Sequence, residues 1–169
     1  MQAECGAGLP RNEKAGYTPL PSGDVFCPLV ADPKTSRSFA SYLRERPDTG
    51  SAGSFRNVGS VGIGDVFPLG RWAGSAPGDG VQLSISAGVF AQFDLDSDSY
   101  DLLNADYIVG IPLTIRRGRG SVRLRVYHQS SHLGDEYLLR EPAQRRDREN
   151  LSFESIEAIV SVDAGALRL

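Results

Sequence analysis

The chain has 169 residues, 40% of them apolar, with 19 glycines, 10 prolines and a formal net charge of −3. Its length points to one domain, its turn-forming residues favour a β protein, and so small a net charge argues against nucleic acid as a partner. No apolar run reaches the roughly 18 residues of a membrane-crossing helix, and Met1 to Gly16 lacks the basic start and apolar centre of an export signal.

Residues 1–36 show little periodicity and are expected to form an irregular, peripheral segment. The cysteines Cys5 and Cys27 both fall in it, and no structural role is expected of them. Phe39, Ser41 and Leu43 alternate with Ala40 and Tyr42, a weak strand over 37–44. Residues 45–54 read as loop. Residues 55–70 read as a strand diluted by glycine and ended by Pro68, and 71–80 as a turn. Strong strands are expected over about 81–94, 104–116, 119–131 and 150–163.

In the first of these, Val81, Leu83, Ile85, Ala87, Val89, Ala91 and Phe93 occupy one phase. Gln82, Ser84, Ser86, Gly88, Phe90 and Gln92 occupy the other. Side chains alternate across a strand, so one wall is apolar and the other largely polar. A two-residue turn at Arg117–Gly118 pairs Leu113 with Val122, Ile111 with Leu124 and Val109 with Val126. Pro112 removes one ladder donor from that strand. Symmetric closure of the 132–149 loop sets Arg125 opposite Glu157 and Arg119 opposite Asp163. It also sets Leu124 opposite Ala158 and Val122 opposite Val160, so unlike charges meet on one face and aliphatics on the other.

Two all-β architectures carry such a pattern. One is a soluble β-sandwich binding module, with a second sheet over the apolar wall. The other is an antiparallel up-and-down meander of about six strands, part of an outer-membrane-type β-barrel. Long strands joined alternately by short and long links favour the barrel. The chain then divides into an irregular segment, 1–36, and a barrel portion, 37–169. Six strands fall short of the eight that close the smallest barrels. The sheet is therefore expected to be incomplete: part of something larger, or open at an edge. Its partners are expected to be outer-membrane lipid or lipopolysaccharide, with no cofactor and no nucleic acid.

The segment from Tyr127 to Leu139 holds both histidines of the chain, His128 and His132, with Ser130, Ser131, Asp135 and Glu136. His128 and Ser130 share the phase of Val122, Leu124 and Val126. Glu154 falls opposite His128, with Tyr107 expected on its other side. Ser130 as nucleophile, His128 as base and Glu154 as orienting carboxylate are the parts of an acyl-transfer site. The plainer reading is a strand end at headgroup level, where polar residues and a girdle of Tyr107 and Tyr127 are ordinary. A metal site from His128, His132, Asp135 and Glu136 requires a bend, since the two histidines lie about 13 Å apart on a straight strand. Asp94 to Asp101 has alternating acids but lacks the central Gly and closing Glu of a calcium loop, and reads as a solvated loop.

The phrases from Arg71 to Gly118, Tyr127 to Arg140, Asn150 to Ser161 and Phe26 to Pro33 (FCPLVADP) resemble a bacterial family catalogued as domain of unknown function 1207. The resemblance spans about residues 25–165. It implies an exported outer-membrane β-barrel protein of uncharacterised envelope role, and no particular activity. The His-x-Ser spacing at 128–130 is similar to that of the outer-membrane lipid A 3-O-deacylases, whose site lies on the outer barrel wall. Ser131 stands where that family has Asn. This second resemblance implies an outer-leaflet lipid acyl hydrolase as the alternative function.

Overall fold

The computed structural model describes residues 16–27, 29, 32, 34–46, 55–139, 151–165 and 167–168. The alternating segments become long strands: β1 (Tyr17–Pro19), β2 (Phe39–Glu45), β3 (Arg56–Ala73), β4 (Gly80–Asp94), β5 (Leu102–Arg117), β6 (Gly120–Leu133), β7 (Leu151–Ala164) and β8 (Leu167–Arg168). A single helical turn, α1 (Asp135–Leu139), follows β6. The sheet runs β1-β3-β4-β5-β6-β7-β8, with β2 sharing the outer edge of β3 with β1. Neighbours are antiparallel, and the sheet curls into an open half-barrel. Short turns at 74–79 and 118–119 lie at one end; the link 95–101 and residues 134–139, which follow β6, lie at the other.

The β6–β7 register is the one the charge pattern predicts, with Arg125 opposite Glu157 and Val122 opposite Val160. The expected Arg119–Asp163 side-chain pair does not form. The Asp163 amide donates to the Arg119 carbonyl at 2.9 Å, and its carboxylate accepts from Arg116 and Arg168 instead. The β5–β6 register differs from expectation by two residues: Leu113 faces Leu124, Ile111 faces Val126, and Val109 faces His128. The cause is the turn. Gly118 has φ +57° and is the first central residue, followed by Arg119; a type II′ hairpin asks for glycine at that position. Because the shift is even, every side chain stays on its predicted face.

The two prolines are handled locally. β3 does not end at Pro68 but continues to Ala73, taking up Leu69 as a bulge between Pro68 and Gly70. Opposite Pro112 the β4–β5 ladder lapses between Leu83–Leu113 and Ser86–Gly110, while β5–β6 pairing continues through Pro112–Arg125.

Burial in this sheet is inverted relative to a water-soluble one. On the concave face Gln82 and Ser84 are 0% exposed and Arg71 1%. On the convex face Ile156 is 84% exposed, Ile63 73% and Val160 69%. Ile111, Leu124 and Val126 are exposed as well. A sandwich places a second sheet there; among the described residues nothing covers this face. From Tyr107 to Ile115 the convex row of β5 spans eight steps, about 26 Å along the strand, close to the roughly 25 Å apolar band of membrane barrels. Aromatic side chains mark both ends. Trp72 and Tyr17 pack at 5.0 Å beside the short turns, and Tyr107 meets the His132 ring at 5.8 Å toward the long links.

What covers the concave face is the N-terminal segment. It was expected to be peripheral; instead Val25, Phe26 and Cys27 are among the most buried apolar residues. The reason is polar, not apolar, complementarity. Arg71 donates to the carbonyls of Ser22 and Gly23 (3.0 and 2.8 Å) and to the Gln82 amide oxygen. Gln82 in turn donates to Asp24 at 3.1 Å. Further along, Arg123 bonds Asp32, Arg125 bonds the Lys34 carbonyl, and the Lys34 ammonium donates to Gln129 at 2.7 Å. Irregular backbone satisfied this way needs no periodicity of its own. Cys27 is disulfide-bonded, which corrects the expectation that it has no structural role; Cys5, the other cysteine of the sequence, lies outside the described residues.

Candidate functional site

The convex wall carries its polar cluster where the apolar band meets the long links. Antiparallel pairing aligns Val109, His128 and Glu154 in one row and Tyr107, Ser130 and Ser152 in the next. Val109, not Tyr107, therefore flanks His128. The His128 Nδ1 lies 3.2 Å from Glu154 Oε1, as the predicted register requires. Its Nε2 lies 3.5 Å from a serine hydroxyl, but that serine is Ser152. Ser130 shares the face with His128, two residues along the same strand, and makes no bond to it. The same-strand His-x-Ser spacing singles out Ser130; the hydroxyl that lies near the imidazole is that of Ser152, its cross-strand partner.

A hydroxyl at one imidazole nitrogen and a carboxylate at the other is the connectivity of a nucleophile–base–orienter relay. The cluster is open, with the Glu154 side chain 80% exposed. Beside it runs a shallow groove of about 530 Å³ whose walls include Ile63, Phe67, Val89, Tyr107 and Val109, with His128 at its end. His132 packs against Tyr107 rather than turning toward His128. Among the described residues no group of three or more His, Cys, Asp or Glu side chains is placed to share an ion.

The acidic link 95–101 is organised by its own hydrogen bonds. Ser97 Oγ donates to the Asp94 carbonyl at 2.9 Å, and Ser99 Oγ to the Asp101 carboxylate at 2.8 Å. Asp96 receives the backbone and side-chain amides of Asn57 at 2.8 and 2.6 Å. Those two bonds, the backbone one first, hold its pKa below the ordinary carboxylate value.

The concave face holds a second polar site, under the N-terminal segment. Glu157 reaches across from β7 and receives Arg123 on one oxygen (3.1 Å) and Arg125 on the other (2.9 Å). Arg123 lies over the Phe26 ring at 4.9 Å, and Arg125 over Tyr127 at 4.6 Å. Burial pushes Asp32 toward the neutral form, but the Arg123 guanidinium and the Lys34 amide outweigh it, and its pKa falls below the ordinary value. At Asp24 burial wins: its pKa is raised, despite the Phe26 amide bond and the nearby Arg71. From the sequence Arg125 and Glu157 were legible as a pair, whereas Arg123 and Asp24 were not, because a lumen-filling segment has no repeating pattern to detect; Tyr127, expected in an aromatic girdle, is buried on this face instead.

The architecture is thus an all-β half-barrel with an apolar outside and a polar, filled inside. The family model described as Protein of unknown function (DUF1207) matches residues 11–166, and the chain belongs to that family. No curated protein and no solved structure matches it.

Proposed function

We propose that this chain forms the curled wall of an outer-membrane-type β-barrel, with hydrocarbon against its convex face and its N-terminal segment filling a polar lumen. One observation carries this reading: serine, glutamine and arginine are buried while isoleucine and valine face outward. In water that arrangement exposes apolar area at a cost of roughly 25 cal/mol per Å²; in lipid the same area is at no disadvantage. The role that follows is structural, a lipid-embedded envelope protein in contact with outer-membrane lipid or lipopolysaccharide. Trp72, the single tryptophan of the chain, provides the test, since it sits half-exposed on the convex face near the short turns. In vesicles of brominated phosphatidylcholine its fluorescence is expected to be quenched most by bromines placed near the headgroups. A monodisperse chain in plain buffer that ignores vesicles, with Trp72 unquenched, ends this reading.

The Ser152–His128–Glu154 contacts favour a second reading, an acyl hydrolase on the same wall. The Ser152 Oγ attacks an ester carbonyl while His128 Nε2 takes its proton and Glu154 holds the Nδ1–H. The proton then passes to the departing alcohol, and water releases the acyl group from the serine. The apolar groove beside His128 suits an acyl chain. Release of fatty acid from lipopolysaccharide-containing vesicles is expected to vanish in Ser152→Ala and persist in Ser130→Ala. No release by the unmodified chain, or the opposite order of the two variants, removes this second reading.

A further inference from the structure

Between the N-terminal segment and the concave face lies a cavity of about 390 Å³. Arg123, Arg125 and Ser36 line it, and each has a buried polar atom without a hydrogen-bond partner: the two arginine Nε atoms and the serine Oγ. All three residues are more than nine-tenths buried, at 8%, 2% and 8% exposure. Unpaired buried donors are rare because each forfeits its hydration. With the Thr35 hydroxyl, likewise buried and unpartnered in the lining, four such atoms call for a common occupant.

Their chemistry says what kind. A guanidinium Nε–H can only donate, and a serine hydroxyl is free to do so. The occupant must therefore bring acceptors, and two guanidinium edges favour anionic ones. The nearby carboxylates are already engaged. Glu157 and Asp32 take the terminal nitrogens of the arginines. Asp24 receives the Phe26 amide and Gln82, and Asp65, also in the lining, receives the Val66 amide. Glu157 and Asp32 neutralise the outer nitrogens of the arginines and leave each Nε edge to something else. The volume exceeds a bare ion and falls among small-molecule sites, about 300–1,000 Å³. Phe26, Val66, Pro68 and Pro112 supply apolar walls for the rest of the molecule.

We propose that this lumenal cavity binds a small organic oxyanion, its charged head held by Arg123, Arg125 and Ser36 and its body against the Phe26–Pro112 wall. The inference stands on the cavity and does not need the membrane reading. Calorimetric titration of the full chain with phenyl phosphate tests it, with benzoate to distinguish phosphate from carboxylate heads and benzyl alcohol as the neutral control. Saturable binding of either anion, and none of the alcohol, is expected. Arg125→Lys keeps the charge but removes the Nε–H, and is expected to weaken binding roughly tenfold or more. Ser36→Ala, a smaller change that leaves the fold's ion pairs intact, is expected to weaken it severalfold; Asp24→Asn is expected to tighten it. Ordered water alone in the cavity gives no saturable heat with either anion, and that result overturns the proposal. So does binding that the alcohol matches, or that Arg125→Lys and Ser36→Ala leave unchanged while circular dichroism shows the sheet intact.

Discussion

Ile111 lies midway along the convex row of β5, four residues from Tyr107 on one side and four from Ile115 on the other, about 13 Å each way. Its side chain is 57% exposed, and neither neighbouring strand places a charge beside it: its partner on β6 is Val126. If water bathes this wall, Ile111→Arg is a surface substitution worth no more than about 0.5 kcal/mol. If hydrocarbon does, the arginine stands near the bilayer midplane, where such a change in a barrel costs about 2–4 kcal/mol. That is roughly a thirtyfold to several-hundredfold loss in the folded-to-unfolded ratio. Urea titration of the chain folded in phosphatidylcholine vesicles, followed by Trp72 fluorescence, measures the difference. Ile115→Arg is the depth control: it lies in the row toward the short turns, and about 0–1 kcal/mol is expected there. A loss below about 0.5 kcal/mol for Ile111→Arg, or equal losses at both positions, refutes a lipid-facing wall.

Three further outcomes follow from the same geometry. Phe26 is 2% exposed beneath the Arg123 guanidinium, so Phe26→Ala is expected to cost about 3–5 kcal/mol; a loss under about 1 kcal/mol by urea titration means the segment is not docked. At Gly118 a side chain has open space but φ is +57°, so Gly118→Ala is expected to cost about 1–2 kcal/mol through backbone strain alone, read from the same titration. Asp32 has a lowered folded pKa, so its stabilisation is complete above the ordinary carboxylate value and is lost as pH falls through the folded one. Asp24 has a raised folded pKa, so its destabilisation is absent in acid and complete once pH exceeds that value. At pH 7, then, Asp32→Asn is expected to lower the urea midpoint and Asp24→Asn to raise it, with both differences shrinking toward pH 3; curves parallel to the unmodified chain at every pH contradict these assignments.

Where the fold obeys a period of two, the sequence was readable. The four strong strands sit within about two residues of their expected bounds, and Arg125 opposite Glu157 followed from charge, alternation and symmetric closure of the 132–149 loop. Where a single residue's backbone decides, periodicity was silent. Gly118 moved the β5–β6 pairing by two because it takes the first turn position, and the Leu69 bulge carried β3 past a proline that was expected to stop it. The segment before β2 was misread for a deeper reason. Apolar patterning locates cores, and this interior is held by arginine, glutamine and backbone carbonyls. At the outer-wall cluster, His128 and Glu154 were legible as a pair, whereas Ser152 required reading across strands instead of along one.

Some residues that fill the concave face are satisfied only by strands far along the chain. Asp32 waits for Arg123, 91 positions later, and Lys34 for Gln129, 95 later; Glu157, which braces both arginines, emerges later still. Contacts so far apart in the chain form slowly, so this end of the interior closes later than the end held by Arg71 and Gln82. An interior built from pairs so distant is fixed only when β6 and β7 join the sheet.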